Sequence, residues 1–168
     1  TNCRKMAADK RIYDCANEAK ASFDDVYNAP DPRGYYRELG ALDYRIPTEA
    51  KPVFQRVMRA MERDHLKVVD IGCSYGVNAA LLRYDLEFSD LVERYSDSAM
   101  DDLSVAEVVC DDAQEFAERR EAIDATFVGL DVSREAAGYA RAVGLLEDAV
   151  VENLESQPLS DEAKGLIA

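Results

Sequence analysis

The sequence predicts an α/β fold in which a parallel sheet is flanked by helices. Two strand-to-helix units follow one another: a strand over residues 66–71 leads into a helix over 77–84, and a strand over 125–131 leads into a helix ending at Gly144. A third short strand is predicted over residues 149–152. Alternation of strands with helices favours parallel pairing, because each parallel strand needs a crossover to reach its neighbour.

Residues 1–64 are predicted to form an N-terminal helical segment. An amphipathic helix is expected over residues 4–21, and a loop rich in Pro, Asn and Gly over 28–34. Thr48 is the expected N-cap of a further helix that runs to about residue 64, with Pro52 in its first turn. The apolar stripe of that helix comprises Val53, Phe54, Val57, Met58 and Met61.

Residues 65–168 are predicted to form the part that contains the sheet, with a helical insertion over about 85–124 between strands 1 and 2. The insertion is expected to hold helices over 86–95 and 105–123, and Ser133 is expected to cap the helix after strand 2. Three parallel strands leave unpaired edge groups and uncovered apolar faces. Together with a first residue that is not Met, this predicts that the sequence is a fragment, cut after its third strand.

Composition disfavours several classes of protein. A chain of 168 residues that is 48% hydrophobic can bury one substantial core. Its net charge of -14 opposes attraction to a phosphate backbone, which disfavours a nucleic-acid partner. No apolar run approaches the ~18 residues that span a bilayer and no secretory leader opens the chain, so a cytoplasmic location is expected. The absence of a Cys-x-x-Cys pair and the single histidine, His65, argue against a metal site.

The most informative motif lies between the first strand and the helix after it, at Asp70-x-Gly72-x-Ser74-x-Gly76. Glycines at such a turn let backbone N–H groups approach a ligand closely at the carboxyl ends of parallel strands. The spacing differs from that of the dinucleotide fingerprint Gly-x-Gly-x-x-Gly. It resembles motif I of class I methyltransferases that use S-adenosylmethionine, whose pattern is acid-x-Gly-x-Gly-x-Gly, with Ser74 in place of the middle glycine.

This resemblance implies a Rossmann-like fold and a cofactor loop whose backbone passes under the methionine and ribose parts of S-adenosylmethionine. In this chain the loop comprises Gly72, Cys73, Ser74, Tyr75 and Gly76. Asp70 would orient the methionyl ammonium, directly or through water. The alternative is that the glycines only permit a tight turn and that Asp70 caps a helix.

Two further positions carry the resemblance beyond the loop. Asp131, in Gly-Leu-Asp-Val-Ser, matches the acid that accepts hydrogen bonds from both ribose hydroxyls, with Val132 beside it. The alternative is that Asp131 is an ordinary helix-capping acid. Asn153, with Glu152 as the alternate, matches the polar residue that recognises the adenine amino group.

The chain resembles these methyltransferases from about residue 23 to residue 155, which makes the insertion a feature of a subfamily, either a cap or a dimer surface. Upstream, Tyr35, Tyr36, Tyr44 and Arg45 resemble a segment that closes over cofactor and substrate. Aromatic packing on the flank of the domain is an equal alternative for these four residues.

The expected function is methyl transfer from S-adenosylmethionine to a small-molecule acceptor. No catalytic residue is assigned, because the family commonly supplies its general base after a fourth strand. Two other functions stay open. One is a non-catalytic nucleotide-binding or interaction module, and the other is a nicotinamide-dependent oxidoreductase, against which the glycine spacing argues.

Overall fold

The sheet of this protein has three parallel strands with helices around it. The computed structural model describes residues 25–167, in which β1 (Leu66–Ile71), β2 (Ala125–Asp131) and β3 (Asp148–Val151) lie in the order β1-β2-β3. The register pairs Ile71 with Leu130, and Asp131 with Val151, so the carboxyl ends of all three strands lie at one end of the sheet. The predicted α/β class and parallel sheet are confirmed.

More than half of the described residues outside the strands are helical. Their bounds are α1 (Arg33–Ala41), α2 (Ile46–Ala60), α3 (Val77–Arg83), α4 (Phe88–Ser96), a 3-10 turn (Ser98–Met100), α5 (Val105–Glu118), α6 (Arg134–Ala142) and α7 (Asp161–Ile167). The helix predicted over residues 4–21 lies outside the described residues. None of the described helices combines the length and the apolar composition that crossing a bilayer requires.

Helix α2 differs from its prediction at both ends. It begins at Ile46 with Arg45 as its N-cap, rather than after Thr48, and it ends at Ala60 rather than near residue 64. The fixed φ of Pro47 suits the first turn, so the helix starts early enough to place this proline there. Pro52, expected in the first turn, therefore lies inside the helix.

The apolar stripe of α2 is largely exposed. Val53, Phe54, Val57 and Met61 are between 41% and 54% exposed, and the residues that α2 buries are Pro47 and Lys51. The Lys51 ammonium donates to the Leu86 carbonyl and pairs with Glu87, which fixes α2 to the start of the insertion.

The insertion folds as predicted into two helices, and local capping explains where they begin. Ser104 and Glu107 form a capping box at the start of α5, in which each side chain accepts from the other residue's backbone N–H. Glu87 and Asp90 do the same for α4. Helix α5 ends at Glu118, about five residues before its predicted end, because Arg119 turns to extended backbone and the chain returns toward β2.

One core joins the N-terminal helices to the sheet. Its buried residues include Tyr36 and Leu39 of α1, Leu81 of α3, Tyr95 of α4 and Phe127 of β2. Helix α1 packs against α4, and α2 packs against α3. The described part of the N-terminal segment is therefore built into the same core as the glycine loop.

The outer edge of β1 pairs with no strand in the part of the chain that the structure describes. Leu66 N–H donates to the Asp124 carbonyl and Gly72 N–H donates to the Leu130 carbonyl, so alternate residues from Leu66 onward bond to β2. The backbone groups of Lys67, Val69 and Ile71 therefore point away from the sheet. A groove runs between this edge and the apolar stripe of α2.

Gly129 of β2 lies where the core leaves no room for a side chain. A Cβ there would lie 2.6 Å from both Cys73 Sγ and Leu146 Cδ1, whereas a Cβ on Gly138 of α6 meets nothing within 4 Å. We expect Gly129→Ala to lower the free energy of unfolding by about 1–3 kcal/mol through overpacking. The matched variant Gly138→Ala should raise it by up to about 1 kcal/mol through helix propensity. Urea unfolding measures both, and equal stability of Gly129→Ala and wild type would contradict this packing.

Candidate functional site

The loop between β1 and α3 has a left-handed backbone at every second residue. The φ angles are +75° at Gly72, +47° at Ser74 and +77° at Gly76. Glycine adopts this conformation at little cost. At Gly76 a Cβ would also lie about 3 Å from the Ala140 and Leu145 side chains, whereas at Gly72 it would meet nothing within 4 Å. Conformation and packing together require glycine at Gly76, whereas only conformation favours it at Gly72.

Ser74 occupies the middle position of the motif, where the pattern has glycine, and its backbone is left-handed. A left-handed backbone is unfavourable for a residue with a Cβ, by roughly 1 kcal/mol or more. In compensation, Ser74 N–H donates to Asp131 Oδ2 at 2.8 Å. The departure from the glycine pattern is therefore accommodated by a bond to the acid at the end of β2.

Asp131 joins the two loops at the carboxyl end of the sheet. Its Oδ2 accepts from Ser74 N–H, and its Oδ1 accepts from Ser133 N–H at 2.8 Å. The cap of α6 is made by Ser133, whose Oγ accepts from Ala136 N–H. Each carboxylate oxygen can accept a second hydrogen bond, so Asp131 keeps capacity for a ligand.

A cavity of about 490 Å³ opens at this end of the sheet. Its volume is in the usual range for small-molecule and cofactor sites. It is lined by Tyr27, Ile71, Gly72, Ser74, Leu130, Asp131, Val132, Glu152, Asn153, Leu154 and Glu155. The structure thus brings five of the predicted cofactor residues to one cavity, namely Gly72, Ser74, Asp131, Val132 and Asn153.

The other four predicted residues do not line this cavity. Cys73 is buried behind the loop, and burial raises the pKa of its thiol, which fits a packing role. Tyr75 points into the core, where its hydroxyl donates to the Val26 and Ala29 carbonyls. Gly76 is buried against α6, and Asp70 lies on the groove beside β1.

Sequence reasoning missed several residues of the cavity wall. Ile71 and Leu130 are strand residues next to the predicted loop and acid, and their position at the strand ends could have identified them. Leu154 and Glu155 follow Asn153 in the chain. Tyr27 comes from the N-terminal segment, and no local pattern connects it to the site.

Asp70 is a buried carboxyl with one oxygen unsatisfied. Its Oδ1 accepts from Asn78 Nδ2 at 2.9 Å, while its buried Oδ2 has no hydrogen-bond partner within the described part of the chain. Burial raises the pKa of Asp70, the bond from Asn78 opposes that shift, and the charge of Asp131 adds to it. A buried acceptor without a donor costs free energy and matches a cationic or hydrogen-bonding ligand group.

Asn153 and Glu152 differ in which of their hydrogen-bonding groups remain available to a ligand. Asn153 Oδ1 accepts from Glu155 N–H, and no hydrogen bond from its amide NH₂ occurs within residues 25–167. The Glu152 carboxylate accepts from the N–H and the hydroxyl of Ser160, and these bonds lower its pKa. Asn153 is therefore the better placed of the two to contact a ligand.

The sequence leaves two roles open for the N-terminal aromatic residues, namely closure over cofactor and substrate or packing on the flank of the domain. The surroundings of these residues differ. Tyr36 is buried and its ring stacks on Tyr95 at 4.8 Å, which is a packing role. Tyr35 and Tyr44 line a second cavity of about 180 Å³ that shares Gly72 and Ser74 with the first. Arg45 is exposed and lines neither of these cavities.

The raised pKa of Asp70 predicts a specific pH dependence of stability. The folded chain holds this proton more tightly than the unfolded chain does, so stability falls as the pH rises from about 3.9, the unfolded pKa, through the folded value. Asp70→Asn removes this ionisation, so its stability relative to wild type should increase over the same window and be greatest near pH 7. Thermal unfolding of both proteins from pH 4 to 8 measures this difference in stability. A difference between Asp70→Asn and wild type that stays constant over this pH range would contradict the assignment.

No family model, no curated protein and no solved structure matches this chain. Within residues 25–167, no group of three or more His, Cys, Asp or Glu side chains is arranged to hold a metal ion. The functional assignment therefore depends on the loop, the acid at the end of β2 and the cavity that they line.

Proposed function

We propose that this chain binds S-adenosylmethionine at the carboxyl ends of its strands and is the cofactor-binding part of a methyltransferase with a Rossmann-like fold. One observation carries the proposal: the glycine loop after β1 and Asp131, the last residue of β2, lie at one cavity of about 490 Å³ and are joined by the bond from Ser74 N–H to the Asp131 carboxylate. In parallel α/β sheets, nucleotide ligands bind at this end of the strands.

The polar groups present fit the parts of this cofactor. Asp131 keeps acceptor capacity for a vicinal diol such as the ribose hydroxyls. Asp70 lines the groove beside β1 and not this cavity, so its Oδ2, unpartnered among the described residues, would reach the methionyl ammonium through water. The amide of Asn153 lines the same cavity as Asp131 and suits the edge of an adenine ring.

When bound, S-adenosylmethionine would supply a methyl group activated by its sulfonium. The acceptor would form a bond to that methyl carbon as the S–CH3 bond breaks, and S-adenosylhomocysteine would be the leaving group. The residues of this chain would hold the cofactor and orient its methyl group toward the acceptor. Tyr35 and Tyr44 border the loop from the side of the smaller cavity, which we assign to the acceptor. No general base is assigned, and the acceptor is proposed to be a small molecule because the net charge of -14 disfavours a nucleic acid.

Binding of the product S-adenosylhomocysteine provides the first test. A ligand at about 100 times its Kd stabilises the folded chain by about 2.7 kcal/mol, which corresponds to a rise in Tm of roughly 5–10 °C. NAD at the same concentration should give no rise. A cooperative transition that S-adenosylhomocysteine leaves unshifted would overturn the proposal, and a shift with NAD alone would favour an oxidoreductase. Binding without methyl transfer to any acceptor would favour the non-catalytic module.

Replacement of Asp131 tests the ribose assignment. Asp131→Ala removes a charged acceptor, and we expect the affinity for S-adenosylhomocysteine to fall about 10- to 100-fold, since such hydrogen bonds contribute about 1.5–3 kcal/mol. Asp124→Ala is the matched control, because Asp124 precedes the opposite end of β2 and its carboxylate contacts His65. Titration calorimetry should find the control unchanged. Equal affinity of Asp131→Ala and wild type would remove Asp131 from the site.

A further inference from the structure

Asp112 is a fully buried acid that does not line the cavity. It lies on α5 of the insertion with 0% of its surface exposed. Its Oδ1 accepts from Nε and Nη2 of Arg94 at 3.0 and 2.7 Å, and its Oδ2 accepts from the hydroxyls of Tyr95 and Tyr139 at 3.1 and 2.7 Å. Four hydrogen bonds, two of them from the Arg94 guanidinium, compensate the burial of this charge.

The Asp112 cluster, which consists of Arg94, Tyr95, Asp112 and Tyr139, fixes three helices to one another. Arg94 and Tyr95 lie on α4, Asp112 on α5, and Tyr139 on α6. The two tyrosine hydroxyls also contact each other at 2.9 Å. A fully satisfied polar network of this kind permits one arrangement of its side chains. The residues of the insertion therefore fix the position of the Tyr139 ring.

The Tyr139 ring in turn contacts the glycine loop, residues 72–76. Its edge packs against the ring of Tyr75 with centroids 5.7 Å apart, and Tyr35 packs on Tyr75 at 5.2 Å. Tyr75 is the residue between Ser74 and Gly76, and its own hydroxyl donates to two carbonyls of the N-terminal segment. The loop is therefore held by Asp131 on the side of the cavity and by Tyr75 on the side of the core.

We propose that Asp112 is a positioning residue through which the insertion sets the conformation of the glycine loop, acting by way of Tyr139 and Tyr75. The insertion then serves as the support behind the cofactor site. An effect of Asp112 on ligand affinity rests on the proposed function. An effect of Asp112 on the conformation of the glycine loop does not.

The test compares Asp112→Asn and Tyr139→Phe with Asp111→Asn. Asp111 is the matched control, because it also pairs with Arg94 but is exposed and does not contact either tyrosine. Amide hydrogen exchange is followed separately in the loop, residues 72–76, and in β2. A general loss of stability would accelerate exchange in both, whereas a loss of positioning accelerates it in the loop relative to β2.

We expect the ratio of the amide exchange rate in the loop to that in β2 to rise about tenfold in Asp112→Asn and about threefold in Tyr139→Phe. The ratio should stay unchanged in Asp111→Asn. Affinity for S-adenosylhomocysteine should fall in the same order. Loop exchange that follows β2 in both variants would overturn the proposal, and Tyr139→Phe alone decides it if Asp112→Asn does not fold. If wild type does not bind S-adenosylhomocysteine but loop exchange changes as expected, the proposed function fails and the positioning role stands.

Discussion

The bond between the Asp131 carboxylate and the backbone of Ser74 is the constraint on which the rest of the site depends. The loop after β1 has three residues with left-handed backbone, and one of them carries a side chain. A single carboxylate holds that residue and also the first turn after β2, through Ser133. The ends of two neighbouring strands are thereby fixed relative to each other, which gives the cavity a defined wall before any ligand binds.

The surroundings of the Asp70 carboxyl oppose the stability of the fold. Its second carboxylate oxygen is buried without a partner in the described residues, an arrangement that weakens the ligand-free fold. A cationic ligand group would supply the missing interaction, so the same feature that costs stability would contribute to affinity. Proteins commonly accept such costs at functional sites, and stabilising substitutions there reduce function.

Local patterns in the sequence were sufficient for the strands and insufficient for contacts between distant segments. The bounds of β1 and β2 were predicted without error, because apolar runs that end at an acid and a small residue are strong signals. Helix α1 was not predicted, since its aromatic residues are spaced for packing on α4 and Tyr75 rather than for a simple amphipathic stripe. The Asp112 cluster joins residues up to 45 positions apart, and no local pattern in the chain indicates it.

The outer edge of β1 has a consequence for how copies of this chain behave together in solution. Within the described residues its outward N–H and C=O groups are unpaired and lie beside an exposed apolar helix face, a combination that templates the addition of another strand. Mutual repulsion from a net charge of -14 opposes that association. At 1 M ionic strength the Debye length falls to about 3 Å, and sulfate strengthens apolar burial. We therefore expect added salt to favour association between copies of this chain and dilute buffers to oppose it.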